Sequence, residues 1–165
     1  MDPSDLVPTG TERETLAAFL DDQRLLITHK VRGLATADAA RRLVPSATTL
    51  AGLVKHLAAV ERNWFQRRLA GRTEAEIGAN ARGDGPTWRI EPGDTLDALV
   101  ADYEAACAES RRTAAGYELD HRVPEPRRGE VTLRWIYLHL IRETARHAGH
   151  ADILREQTDG STGDP

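Results

Sequence analysis

Apolar residues recur at helical spacing in four long stretches of the chain. In the first, Leu16, Phe19, Leu20, Leu26, Ile27 and Val31 return every three or four residues, with Gln23 in register, which predicts an amphipathic helix ending at about Gly33. Thr11 stands three residues before Glu14, the spacing of a capping box, and marks its start. A short turn of helix is expected over residues 37–42, ended by Pro45. The second long helix begins after Ser46 with Thr48 or Thr49 as cap. Leu50, Leu53, Leu57, Val60, Trp64 and Leu69 mark its buried side, and Gly71 stops it. The third runs from an Asp94/Thr95 cap to about Gly116, with Leu96, Leu99, Val100, Tyr103, Ala106 and Cys107 inward. A Pro- and Arg-rich turn with an exposed His121 follows over residues 117–130, and the fourth helix opens near Thr132 and runs to Gln157.

Between the second and third helices, residues 72–93 are rich in Gly and Pro (Gly78, Gly83, Gly85, Pro86, Pro92, Gly93). Connections of this length in compact domains are often functional. Trp88 lies in it and reads first as a cap over the core, second as a pocket wall. The pattern predicts an all-α fold: a four-helix bundle with a long connection between the second and third helices. It is expected to form one domain over 1–165, with a core at about 11–158 and loose ends at 1–10 and 159–165.

Composition narrows this picture. At 165 residues the chain is one domain with room for a core. Its net charge of −4, with no basic block, gives no electrostatic footprint for nucleic acid. All but two of its 22 Lys and Arg residues are Arg, the exceptions being Lys30 and Lys55, a bias that suggests a GC-rich genome. Cys107 is the single cysteine, which excludes an internal disulfide and a Cys-based zinc cluster; among small and apolar neighbours it reads as packing. The first residues are acidic and lack an apolar segment, so no secretory signal is expected. Nor does any apolar run approach the roughly 20 residues of a membrane span. The expectation is a cytoplasmic protein.

Candidate chemistry concentrates between His139 and His150, where three of the six histidines and a glutamate share twelve residues of the fourth helix. At about 100° per residue, His147 lies about 40° to one side of Glu143, with His150 about 20° and His139 about 40° to the other. Ile136, Leu140 and Leu154 fall within about 60° of the same line. A titratable stripe on an apolar face needs a compensating partner, and a metal ion is one. Glu143 and His150 stand about 10.5 Å apart along the axis, too far for metal–ligand bonds of about 2 Å to one ion. The i, i+4 pairs Glu143/His147 and His139/Glu143 both suit a single ion, His147/His150 is a cramped third, and spacing does not choose among them. His56, on the apolar face of the second helix, becomes a candidate ligand because helices packed 8–10 Å apart leave a span that two side chains and an ion fill. His29, between the apolar positions and the solvent face of the first helix, reads first as structural and second as a neighbour of the site.

These residues resemble the DinB-like superfamily of metal-binding four-helix bundles, and specifically its actinobacterial mycothiol-dependent branch. The likeness rests on Thr49 through Leu57 with Glu61 and Trp64, on Trp88-Arg89, and on Trp135 through Glu156, with Glu143 through Asp152 the most specific segment. It covers roughly residues 11–160. Many members hold the ion with one histidine on the second helix and two histidines spaced i, i+4 on the last; here Glu143 stands in place of the first of that pair, as in mycothiol-dependent maleylpyruvate isomerase. The resemblance therefore implies the metal ligands His56, Glu143 and His147, and leaves His150 outside the set.

Three protein ligands and an open position describe a catalytic zinc-type site; the donor set also suits nickel, iron or cobalt. A free thiol is a few per cent ionised at neutral pH, so full ionisation gains only about thirtyfold, whereas positioning contributes up to about 7–11 kcal/mol. The chain offers no nucleophile of its own, so the thiol is expected to be a cosubstrate. The implied function is a metal-dependent thiol transferase that conjugates mycothiol, or a similar small thiol, to a small electrophile. A thiol-dependent isomerase, a metallohydrolase using metal-bound water and a non-catalytic binding or stress protein are the alternatives. Implied partners are the thiol and the electrophile, with no nucleic acid or membrane; a homodimer is compatible with the resemblance.

Overall fold

The computed structural model describes residue 5, residues 7–82 and residues 85–162. Parts of the expected loose ends, and Gly83 of the connection, lie outside the described residues. The fold is mostly helical. Its long helices are α1 (Glu12–Val31), α3 (Leu50–Glu61, continued by a π-helical segment, Arg62–Leu69), α5 (Leu96–Ala115) and α6 (Leu133–Asp159); α2 (Thr36–Ala39) and α4 (Glu74–Ile77) are single turns. None is long and apolar enough to cross a membrane.

A threonine hydroxyl caps each long helix, accepting from the backbone N–H three residues on: Thr11 from Glu14, Thr49 from Gly52, Thr95 from Ala98 and Thr132 from Trp135. Thr11 and Glu14 form the expected reciprocal box. At the other two ambiguous starts, Thr49 and Thr95 serve rather than Thr48 and Asp94. Such caps contribute about 1 kcal/mol each. Gly71, just beyond the π-helical segment, has φ of +69°, a left-handed conformation that glycine enters without a Cβ clash. α1 packs along α6 and α3 along α5, while the π-helical segment lies against α5 and α3 also meets α6.

Two features depart from the sequence pattern. The sequence pattern over residues 117–130 predicts a turn. Instead, β1 (Arg122–Glu125) pairs antiparallel with β2 (Gly129–Thr132), Val123 opposite Val131. Both valines are buried against Phe65, Leu133 and Ile136, so two apolar side chains on one face turn the segment into a hairpin. His121 is exposed, as expected. The second departure is the π-helical segment, which changes the phase of its helix: Glu61, Phe65 and Leu69 are buried while Trp64 is only half-buried. Continued α-helical periodicity put Trp64 inward and did not single out Phe65.

The core forms two clusters, one around Leu53, Leu57, Tyr103 and Ala151, the other around Leu20, Phe65, Ile136 and Leu140. At the level between them Arg24 and Glu61 form an ion pair, 5% and 1% exposed, with Nε donating to Oε1 at 2.8 Å and Nη2 to Oε2 at 2.6 Å. Cys107 is buried, and burial pushes its thiol well above the ordinary range, as its packing role requires. Cys107→Ala should leave any thiol-dependent turnover intact and lower stability by at most about 1–2 kcal/mol; lost turnover in a folded variant would place the nucleophile there instead.

Candidate metal centre

α3 carries His56 one turn after Gly52, and α6 carries Glu143 and His147 one turn apart. Contact between the two helices brings a ligand atom of each residue within 4.8 Å of the others. His147 Nε2 lies 3.2 Å from Glu143 Oε1, and the His56 and His147 rings meet edge to face with centroids 5.2 Å apart. Both histidines are buried; Glu143, half-buried, is the member nearest solvent.

The electrostatics suit cation binding. Burial is the main cause that lowers the His56 pKa to about 4, and the neighbouring charge of His147 adds to it against the pull of Glu143. Its ring is thus the neutral, lone-pair form that metals require. The hydrogen bond from His147 is the main cause that lowers Glu143 to about 2, against its burial, with the charges of His147, Arg146 and His139 helping. Arg146 Nη1 stands 3.4 Å from the second carboxylate oxygen. His147 Nδ1 is buried with no hydrogen-bond partner among the described residues, a condition that native interiors rarely tolerate. Two imidazoles and a carboxylate converging on one point, with a polar atom unmet, fit a divalent cation.

The long connection supplies a part of the site that the sequence pattern did not reveal. Its turn at Gly85–Trp88 lies on α3. Thr87 Oγ1 is 3.0 Å from His56 Nδ1, which leaves Nε2 as the ring nitrogen without a hydrogen bond among the described residues. Trp88 packs against the core cluster, as first expected, and also stacks on the same imidazole, centroids 4.1 Å apart and planes 21° from parallel, so it lines the site as well. Lys55 anchors the connection, donating to the Arg89 carbonyl at 2.9 Å and to Asp94 Oδ2 at 2.7 Å.

Gly52 makes this close approach possible, because a Cβ there would stand 2.9 Å from both the Trp88 carbonyl oxygen and Thr49 Oγ1. A glycine inside a helical pattern, one turn before a histidine on the same face, was the available signal for that approach. Gly52→Ala gains up to about 1 kcal/mol in helix propensity but forces a backbone shift costing about 1–3 kcal/mol. We expect a net fall in thermal stability, and changed fluorescence as Trp88 lifts from His56; an unchanged melting curve and spectrum would show that the turn has slack.

The remaining histidines occupy the flanks. His139 is sandwiched in an aromatic cluster, stacked on Trp135 at 4.9 Å and edge-on to Trp64 at 4.7 Å, with Arg142 Nη2 at 3.2 Å from its Nδ1. His150 is exposed, its ring 5.5 Å from that of His147. His29 borders a separate crevice with Lys30, Asp152 and Arg155. A family model for mycothiol S-transferase matches residues 15–160. The chain belongs to the mycothiol S-transferase family. The matched span includes α3, the Thr87/Trp88 turn and all of α6, hence every member of the cluster. A search of curated proteins finds no match. The mycothiol S-transferase family name points to mycothiol-related transfer chemistry and a small thiol as substrate, the chemical class in which the site is to be read.

Proposed function

We propose that this mycothiol S-transferase family member holds one divalent ion, zinc in the first instance, through His56, Glu143 and His147, and uses it to conjugate mycothiol to a small electrophile. The observation that carries this reading is the convergence of the three ligand atoms within 4.8 Å, inside a span that matches the family. When bound, the ion supplies positive charge that favours the ionised thiol and fixes its sulfur in place. The protein's own residues do the rest. Thr87 orients the His56 ring, Trp88 covers it, and the half-buried Glu143 leaves the set accessible from its own side. In the transfer itself, the sulfur lone pair forms a C–S bond, the thiol proton passes to solvent, and the electrophile's displaced electron pair leaves with a departing group or takes up a proton. The pairing of α1 with α6 and of α3 with α5 supports a four-helix bundle of the DinB type, and the same reading includes a cytoplasmic location for the enzyme.

The deciding experiment is elemental analysis of protein purified without chelator, followed by a conjugation assay with mycothiol and several other small thiols. About one divalent ion per chain and thiol-dependent product formation are expected. Metal-free protein that cannot be reconstituted would overturn the reading, and ester cleavage without thiol would replace it with a hydrolase.

Thr87→Val removes a hydroxyl at nearly constant shape. As the group that orients a ligand, Thr87 should matter about 10–100-fold in metal affinity, with the fold unchanged by circular dichroism. Competition with a chromogenic chelator measures this, and unaltered affinity would make the His56–Thr87 contact incidental.

A further inference from the structure

The proposed centre has two unlike flanks on α6. Toward the N-terminus lies the aromatic and cationic group: Trp64, Trp135 and His139, with Arg128 over Trp135 at 4.9 Å and Arg142 on His139. Toward the C-terminus, beyond His150, lies a crevice of about 290 Å³ walled by Val44, Ile153 and Leu154, with Ser46, Thr48 and His150 at its polar edge. No Lys, Arg, Asp or Glu lines this crevice among the described residues. Ser46 and Thr48 are hydrogen-bonded to each other at 2.9 Å, which reduces their demand on a ligand. Ile153 is 58% exposed, one of the few large apolar side chains left open to solvent.

Resting on the transferase reading above, we propose that this crevice is the electrophile subsite, and that it selects small, uncharged, apolar electrophiles. A transferase must hold two substrates beside one centre. His150 borders the crevice and its ring meets that of His147, centroids 5.5 Å apart. The crevice thus begins one side chain away from the proposed ligand set, and an elongated electrophile seated on Ile153 extends from it toward that set. Aliphatic walls reward methylene groups and penalise charge, because no Lys, Arg, Asp or Glu among the described lining residues pairs with an ion. Mycothiol, a polyhydroxylated thiol, gains little from such walls. In either neutral tautomer His150 presents one ring N–H, which can meet a carbonyl oxygen at the polar edge. The volume lies at the lower limit of pockets that hold drug-sized ligands, which restricts the occupant to a small molecule.

Two measurements on the full-length protein test this. In the first, methyl NMR follows a titration with 2-hexanone, an unreactive ketone, with glucose as the polyhydroxylated control. Shifts of the Val44, Ile153 and Leu154 methyls with the ketone alone are expected, and these should vanish in Ile153→Asp, a change at an exposed position. Shifts confined to the surroundings of Trp64 and Trp135, or none, would overturn the proposal. The second measures KM for alkyl vinyl ketones of increasing chain length with mycothiol. In that addition the sulfur pair bonds the terminal vinyl carbon, the π pair moves to the α-carbon, and that carbon gains a proton matching the one the thiol lost. KM should fall about fourfold per added methylene, and this dependence should disappear in Ile153→Asp while KM for mycothiol and metal content hold. A flat chain-length dependence in the unaltered protein overturns the subsite. Binding at the crevice without turnover of any ketone overturns the transferase reading alone, and the crevice then stands as a site for uncharged apolar ligands.

Discussion

His147→Ala, purified without chelator, should carry almost no metal, against about one ion per chain in the parent protein. The substitution leaves only His56 and Glu143 to hold the ion, and removes the partner 3.2 Å from Glu143 Oε1. Glu143→Ala should lose metal in the same way. Glu143→His should keep it, because it restores the three-histidine pattern of many DinB-like proteins. His150→Ala should stay close to the parent, since its exposed ring lies beyond His147 rather than within the cluster; any effect should not exceed the 10–100-fold typical of groups that support a ligand. Elemental analysis of the four variants separates the possibilities. Metal-free His150→Ala beside loaded Glu143→Ala would assign the ion to His147 and His150 and remove Glu143 from the proposed set.

The second large effect is expected outside the ligand cluster, at the end of α3. Glu61→Ala should lower stability by about 3–5 kcal/mol, which for a chain of this size lowers Tm by on the order of 10 °C. The carboxylate receives two guanidinium donors from Arg24 in the core, and its removal strands a cation that is 5% exposed. Asp21, which accepts from Arg24 Nη1 at 2.8 Å, compensates only at the outer edge of the guanidinium. The double variant Arg24→Met/Glu61→Leu should recover most of the loss, because well-packed apolar groups avoid the desolvation of both charges. Thermal unfolding of the single and double variants measures this. If the double variant were as unstable as Glu61→Ala, the pair would be supplying specific geometry, such as the change from α to π winding after Glu61, rather than merely satisfying its own burial.

Much of the site was legible because helices encode their faces locally. Glu143 and His147 share a face at i, i+4, and that fact survives any tertiary arrangement. So do the threonine caps: the hydroxyls of Thr11 and Thr132 reach N–H groups three residues away, and no distant contact is needed to predict them. Membership of the mycothiol S-transferase family bears out the resemblance read from residues 49–57, 88–89 and 135–156. The uncertainty between Thr48 and Thr49 was of one residue, the scale at which helix ends fray.

What stayed hidden depends on which distant segment arrives where. Thr87 and Trp88 sit more than thirty residues from His56 in a connection with no periodicity, and only the backbone approach over Gly52 brings them to the imidazole. Arg24 lies on the first helix among apolar and polar neighbours alike; nothing local says that it turns inward, because burying it is favourable only where Glu61 waits. The π-helical segment escapes a reading at 100° per residue by its nature, since the change of winding redirects Phe65 inward and Trp64 toward His139. Likewise Val123 and Val131 form a hairpin because the Phe65 and Ile136 cluster offers them burial. The sequence by itself determined the long helices, their caps and the titratable stripe on α6, all consequences of contacts within one helical turn. Tertiary structure alone decided the partner that completes the stripe, the turn that covers it and the buried charge pair, because each depends on free energy that exists only once surfaces remote in the chain have excluded water between them.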